Sequence, residues 1–420
     1  MDTSDRSNDE YLARVMETAV SAGQIMLENG AEIFRVEETM ERIACHFGVD
    51  SGNFFVLSNG ILTSGGTSYS NVRYIPFKGT RLEKVALVND LSRRIGKGVC
   101  SLDEASVELE RIRNLKAKPD WEQVLASGIG SAAFCAIFGG SLADCLASLV
   151  AGILLYIVVL KVLPARMSKI TANILCSMFV TALCVIFMQV GFGRGMGNMI
   201  IGAIIPLIPG VAFTNGIRDL ANQDYIAGFT RLLDAMMVFF SIAAGVAITF
   251  LAASRLGVEL VQPDVMKTDA LTAVWSVQIA AALLGTAAFG VLFGVQRLQY
   301  LNVGICGVAG WITYLLMTRC AGASMIEATF VATLVVVIVS RFMAVRQQCP
   351  VTVFEICGIF PLIPGAGIYW TTYFLVIKEY GRALSTGMAA LGATAAIVLG
   401  IILITSLPGK IFKIVKKTAS

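Results

Sequence analysis

From residue 121 onward the chain alternates long apolar runs with short polar gaps, whereas residues 1–120 mix polar and apolar positions as a soluble fold does. The apolar runs lie at about 123–140, 142–163, 170–190, 198–217, 227–253, 271–294, 299–318, 323–343, 352–376 and 384–406, each near the roughly 20 residues that a helix needs to cross a bilayer. Ahead of them Leu12, Val15, Met16, Ala19, Ala22 and Met26 recur at helical spacing until Asn29-Gly30 stops the pattern. A second helix is predicted over Ala31–His46 through Ile33, Val36, Met40 and Ile43, with its stop at Gly48. "NFFVLSNGILTS" and "SNVRYIPFKG" read as two strands of a hairpin joined by "SGGTSYSN". Helices follow at about 81–96 and 102–115, the second opened by a capping box at Ser101–Glu104. The expected fold is a polytopic α-helical membrane protein of about ten spans preceded by a small α+β domain. Its predicted units are residues 1–120, 121–257 and 268–420.

Two spans are interrupted by the same string. "IIPLIPG" covers Ile204–Gly210 and "IFPLIPG" covers Ile359–Gly365, so that Pro206 and Pro361 stand 155 residues apart. The same offset relates Phe138-Gly139 to Phe293-Gly294, Gly152 to Gly307, Asp224-Tyr225 to Glu379-Tyr380, and Gly245 to Gly400. The membrane part therefore reads as two copies of a five-helix unit. An odd number of spans makes the second copy enter from the opposite side, so the copies are expected to be inverted, as in many secondary transporters. Each proline removes a backbone N–H and disturbs the helical ladder. Freed backbone groups at membrane depth are tolerated where they face protein or a wet cavity. Paired breaks in register thus point to a substrate path, and Pro206, Pro209, Gly210, Pro361, Pro364 and Gly365 are placed on it.

Composition narrows the class. Of 420 residues, 56% are hydrophobic and only 15% charged, too few charges for a soluble protein of this length. The net charge of +4 comes without a basic stripe, so no nucleic-acid partner is expected. Ten scattered cysteines without a CxxC pair, and a single histidine, offer no zinc site; no Walker motif occurs, and no cofactor is expected. The start, "MDTSDRSNDE", lacks the basic and apolar stretches of a signal peptide, which places the head in the cytoplasm. Basic residues then set the topology. Lys161, Arg166, Lys169, Arg218, Arg297, Arg341, Arg346 and the tail lysines 410, 413, 416 and 417 outweigh the opposite loops, where Arg194, Arg255, Lys267, Arg319, Lys378 and Arg382 lie among Glu259, Asp264, Asp269 and Glu379. Both termini are expected inside, with Trp121 as an interfacial aromatic.

Polar residues beside the breaks supply candidate chemistry. Thr214 and Asn215 could hydrogen-bond a zwitterionic or hydroxylated substrate. Arg218 and Asp219 could hold a carboxylate and an amine, or pair with each other. Asp234 falls inside a span, where a charge costs roughly 2.5–3.5 kcal/mol, and is the first candidate for a proton carrier, with Arg231 as its alternative structural partner. Glu355, just before the second break, is a second proton- or cation-site candidate. Tyr369, Trp370, Thr371 and Thr372 line a pocket or belong to an aromatic belt. Asp144 and Glu327 are read as interfacial, and "GFGRGMGN" (Gly191–Asn198) as a flexible loop. In the head, Ser58, Ser64 and Thr67 are formal nucleophiles, and His46 has no evident partner in the sequence, so a hydrolase is an alternative with no assembled motif behind it.

Taken together, "ENGAEIFRVEETMERIACHFGV", "RLEKVALVNDLSRRI", "IIGAIIPLIPGVAFTNGIRDL", "RLLDAMMVFFSIAAGVA", "FGVLFGV", "GVAGWITYLL" and "CPVTVFEICGIFPLIPGAGIY" resemble the threonine/serine exporter family over nearly the whole chain. The resemblance implies a cytoplasmic domain, two five-span domains, and export of threonine and serine across a bacterial plasma membrane driven by protons. Succinate export by some split relatives keeps dicarboxylates as an alternative cargo. It carries Asn215, Arg218, Asp219 and Asp234 over as site candidates, with a small-molecule substrate, protons and the bilayer as partners and a homo-oligomer left open.

Overall fold

The computed structural model describes residues 3–50, 52–65, 69–163, 167–258 and 269–407. Thr67, Arg166, the 259–268 loop with Glu259, Asp264 and Lys267, and the lysines of the tail lie outside these residues.

The head opens with two long helices, α1 (Thr3–Glu28) and α2 (Ile33–His46). They are joined by a tight turn in which Gly30 takes φ +88°, a conformation that glycine adopts freely. Three strands follow, where two were expected: β1 (Asn53–Leu57), β2 (Gly60–Gly65) and β3 (Tyr69–Tyr74), antiparallel in that order. The first apolar run divides because Leu57 pairs with Gly60, leaving Ser58-Asn59 as a two-residue hairpin turn. Helices α3 (Leu82–Gly96) and α4 (Leu102–Arg113) complete the head, and Ser101 and Glu104 form the reciprocal cap that the sequence signals. Its core joins Ala19, Ala22 and Met26 of α1 to Ile33, Val36, Met40 and Ile43 of α2, with Val85, Val88 and Leu91 of α3 and Leu109 and Ile112 of α4.

Twelve helices make up the rest of the described chain: α5 (Asp120–Ile137), α6 (Leu142–Ile157), α7 (Lys169–Gln189), α8 (Met196–Ile204), α9 (Gly210–Ala221), α10 (Tyr225–Arg255), α11 (Trp275–Leu292), α12 (Tyr300–Leu315), α13 (Met325–Gln347), α14 (Val351–Ile359), α15 (Gly365–Val376) and α16 (Tyr380–Thr405). Among the described residues eight helical segments are long and apolar enough to cross a membrane, or nine if the pair 196–221, bent by 62°, is one span. Helix α5, whose first turn carries Asp120 and Glu122, is not among them. The starts of α5, α8, α9 and α10 recur 155 residues later as those of α11, α14, α15 and α16. Left-handed residues recur with them, Gly139 with Gly294 and Gln223 with Lys378.

The copies touch reciprocally. A side chain on Gly130 of α5 would meet the Phe289 ring at 3.1 Å and Ala288 at 3.6 Å; one on Gly285 of α11 would meet Phe134 at 3.1 Å and Ala133 at 3.2 Å. The earlier residue of each helix thus faces the later residues of the other, so α5 and α11 run antiparallel, and the same contacts are made in both directions. Small residues allow close crossings within each copy as well: Gly152 lies against Ser131 as Gly307 lies against Thr286.

The glycine-rich stretch 191–198 is tied down. The backbone N–H groups of Arg194 and Gly195 donate to Asp144 Oδ1 at 2.6 and 2.9 Å, and Asp144, buried and not interfacial, also caps α6 through Ser141. Hydrogen bonds to a charged acceptor contribute about 1.5–3 kcal/mol. Asp144→Ala is therefore expected to release this loop, seen as new protease cleavage at 191–195 in the folded protein; unchanged resistance would contradict the tether.

Candidate functional site

The two broken helices lie at the centre of the bundle. In Val351–Val376, 83% of the apolar window is buried, whereas the other spans reach 28–44%, so this segment sees almost no lipid. Each break has the same form: a short 3-10 turn (Ile205–Leu207, Phe360–Leu362), an extended isoleucine, then a proline heading the next helix. The breaks cross in contact. A side chain on Gly210 would run into the Phe360 ring and meet Ile363 at 3.6 Å, while one on Gly365 would meet Ile208 at 2.8 Å. Pairing 210 with 363 and 365 with 208 repeats the reciprocal, antiparallel pattern of α5 and α11.

A cavity of about 560 Å³ opens beside the first break. Pro209, Gly210 and Asn215 line it from α9 and its lead-in, and Lys169, Asn173, Thr230, Arg231 and Asp234 from α7 and α10; Gly30, Ser58 and Asn59 of the head close its other side. Asp234 is half-exposed at its wall and pairs with Lys169 at 2.6 Å. Its partner is thus not Arg231, and the charge is not buried inside a span. In the sequence Lys169 is one of the loop charges that set the topology; the α7–α10 packing that brings it to Asp234 leaves no trace in the spacing of either segment.

Behind the cavity sits a buried charge cluster in which the head takes part. Arg218 Nη1 donates to Glu355 Oε2 at 2.8 Å, and Arg218 Nε lies 2.9 Å from Glu32 Oε2. Asp219 does not pair with Arg218; it accepts from Arg231 at 2.7 Å and from the Ile33 N–H at 3.0 Å. Asn215 donates to the Gly30 carbonyl at 2.7 Å, and Arg231 to the Ala31 carbonyl at 2.8 Å. The α1–α2 turn is therefore docked by bonds from residues 30–33 onto every polar side chain of "TNGIRDL" except Thr214. Burial alone would raise the Glu32 carboxyl, but Arg218, Arg35 and a hydrogen bond from Thr352 outweigh it and hold the group below the ordinary carboxylate value. What this charge adds to docking is thus fully present at neutral pH and is lost only as the pH falls through that lowered value.

The second break places its residues elsewhere. Pro361, Pro364, Gly365, Tyr369 and Thr371 are not on the cavity wall. Tyr369 joins Trp370, Tyr373 and Phe250 in a buried aromatic cluster, and Thr371 bonds back to the Gly367 carbonyl. By the offset of 155, Tyr369, Trp370 and Tyr373 stand where Thr214, Asn215 and Arg218 stand in the first copy, so polar chemistry is concentrated on one break. Of the residues considered for a hydrolase, Ser58 is a hairpin-turn residue on the cavity wall, Ser64 is exposed on β2, and His46 ends α2 at the surface in ring contact with Phe47. Among the described residues no group of three or more His, Cys, Asp or Glu could hold a metal ion.

A family model described as "Putative threonine/serine exporter" matches residues 17–252, and a second, described as "Threonine/Serine exporter", matches residues 278–407. A "Probable threonine/serine exporter" of Mycobacterium tuberculosis is 19% identical over 95% of this chain and 78% of its own. A "Threonine/serine exporter" of Corynebacterium glutamicum is 20% identical over 95% of this chain and 83% of its own. An uncharacterised protein of Schizosaccharomyces pombe is 24% identical over 40% of this chain. No solved structure matches.

Proposed function

The chain belongs to the threonine/serine exporter family, and from that premise we propose that it exports small hydroxylated amino acids in exchange for protons, through a path that begins at the cavity beside the first break. One observation carries this reading: the cavity presents a paired cation and anion, Lys169 and Asp234, with the amide of Asn173 and the hydroxyl of Thr230 on the same wall. A zwitterion can exchange into such a pair, its ammonium to Asp234 and its carboxylate to Lys169, without leaving a charge unmatched. The volume suits a small solute with its water.

Proton coupling is assigned to Glu355 ahead of Asp234. Glu355 is fully buried and shares one arginine with Glu32, and its Oε1 has no hydrogen-bond partner. Two carboxylates on one cation need a proton, or a rearrangement, whenever that cation is drawn away. The reciprocal antiparallel contacts between copies support an inverted repeat, and hence alternating access by rocking of one copy against the other. The bacterial plasma membrane, with both termini in the cytoplasm, is the setting this mechanism uses.

Purified protein in liposomes, assayed with labelled serine, threonine and succinate under an imposed pH gradient, tests the reading. Serine and threonine are expected to move faster than succinate, with the gradient setting the rate. Asp234→Asn is expected to lower serine flux by about tenfold or more, one lost charged contact being worth about 1.4 kcal/mol or above. Preferential flux of succinate, or flux indifferent to Asp234→Asn, would contradict it.

A further inference from the structure

We propose that Arg218 is a second, deeper subsite that takes the carboxylate of the transported amino acid after Lys169, and that Glu32 of the head holds this subsite as a tethered stand-in. The proposal rests on the exporter reading and adds to it the cluster behind the cavity.

Glu32 matches Arg218 by charge but not by geometry. Its Oε2 is 2.9 Å from Arg218 Nε, yet that N–H makes no hydrogen bond. Held at the start of α2, the Glu32 carboxylate meets the guanidinium out of line, whereas a free carboxylate can take the bidentate arrangement that arginine favours. Acceptors for the rest of an amino acid stand beside it. Asn215 Oδ1 and Glu355 Oε1 are buried without partners and suit an ammonium, and the Thr214 hydroxyl, also buried and unpartnered, suits a side-chain hydroxyl. Buried polar atoms are almost always paired, so several orphans around one arginine mark a place where another set of partners is accommodated.

The turn that carries Glu32 is also the partition. Gly30 lines the cavity and its carbonyl takes the Asn215 amide, while Glu32, two residues on, reaches Arg218. Withdrawal of residues 30–33 would join the cavity to Arg218 and free the Asn215 amide in one movement. The exchange conserves charge. Glu32 takes one negative charge from Arg218 Nε and the incoming carboxylate restores it, while Glu355 stays on Nη1. Held below the usual carboxylate range, Glu32 is ionised at neutral pH and competes as an anion.

Equilibrium binding and flux in the full-length protein read this competition. Neutralising a competitor raises apparent affinity by the inverse of the fraction of sites it left free. Glu32→Gln is expected to tighten serine binding by about tenfold, Glu32→Asp to leave it near the parent value, and ethanolamine, which lacks the carboxylate, to gain nothing. A second readout does not depend on affinity. Ala31→Cys places a thiol in the buried turn, and serine is expected to raise its maleimide labelling, read at residue 31 by mass spectrometry. If the parent protein transports serine while Glu32→Gln gains no affinity and labelling at residue 31 does not rise, the stand-in is overturned alone. If the folded parent neither binds nor moves serine or threonine, the exporter reading falls and this proposal with it.

Discussion

Arg218→Leu is expected to destabilise the protein by about 3–5 kcal/mol and to stop amino-acid export. The substitution removes a cation that pairs with both Glu32 and Glu355, each of which is 1% exposed. Two carboxylates would then face each other in a region that water does not reach, and a buried charge without its partner costs more than the intact pair contributed. The loss can be divided into its parts. Replacing all three together, Glu32→Leu, Arg218→Leu and Glu355→Leu, removes both carboxylates and the cation they share, leaves Arg35 without its Glu32 partner at 3.5 Å, and is expected to recover part of the thermal stability. The triple variant should still fail to transport, because the carboxylate subsite is gone. Unfolding in detergent and flux in liposomes, measured on both variants, check the two halves separately. A stable Arg218→Leu protein would show that the cluster is not closed as described, and a transporting triple variant would remove the cluster from the path.

The crossing of the breaks gives the second large effect. Valine at Gly365 would push into Ile208, and valine at Gly210 into the Phe360 ring. Overpacking of this kind costs about 1–3 kcal/mol, and here it also forces apart the two segments on which the proposed motion turns. Gly210→Val and Gly365→Val are therefore expected to lower stability by similar amounts and each to reduce flux severely. Ile208→Ala opens the space opposite Gly365, so Ile208→Ala with Gly365→Val should recover part of what the glycine substitution loses. A double-mutant cycle reads that coupling directly. Strict additivity would mean that the segments do not touch.

Much of this architecture was legible in the sequence because it is written in local signals. The doubled PLIPG string marked the two breaks that the structure sets in contact, and apolar run lengths marked the eight or nine spans of the described residues, fewer than the ten expected because α5 is not long and apolar enough to count. Asn29-Gly30 ended α1 where the structure ends it, and Ser101 capped α4. Short-range chemistry also explains one error: Ser58-Asn59-Gly60 is a turn inside what read as one strand, and the third strand follows from it.

The charge partners were not legible, since they depend on contacts between residues far apart in the chain. Arg218 and Asp219 are neighbours in sequence, but successive helix residues point about 100° apart. One therefore turns to Glu32 and Glu355 and the other to Arg231 and the Ile33 amide. Glu32 is separated from Arg218 by 186 positions, and nothing in the spacing of either segment indicates that the head docks on the first break. Asp234 read as buried because it follows the start of a long apolar run; the side on which α10 meets Lys169 of α7 decides its exposure, and sequence alone does not fix that side.

The account depends most on the two copies running in opposite directions, and paired cysteines across α5 and α11 test this most directly. A side chain at Gly130 would lie 3.6 Å from the Ala288 Cβ, within reach of a disulfide. In a background without the native cysteines, Gly130→Cys with Ala288→Cys and Ala133→Cys with Gly285→Cys are both expected to cross-link readily under mild oxidation. Gly130→Cys with Gly285→Cys and Ala133→Cys with Ala288→Cys should form together only if the helices run parallel. Efficient formation of that second set, with failure of the first, would contradict the inverted arrangement and the crossing of the breaks that follows from it.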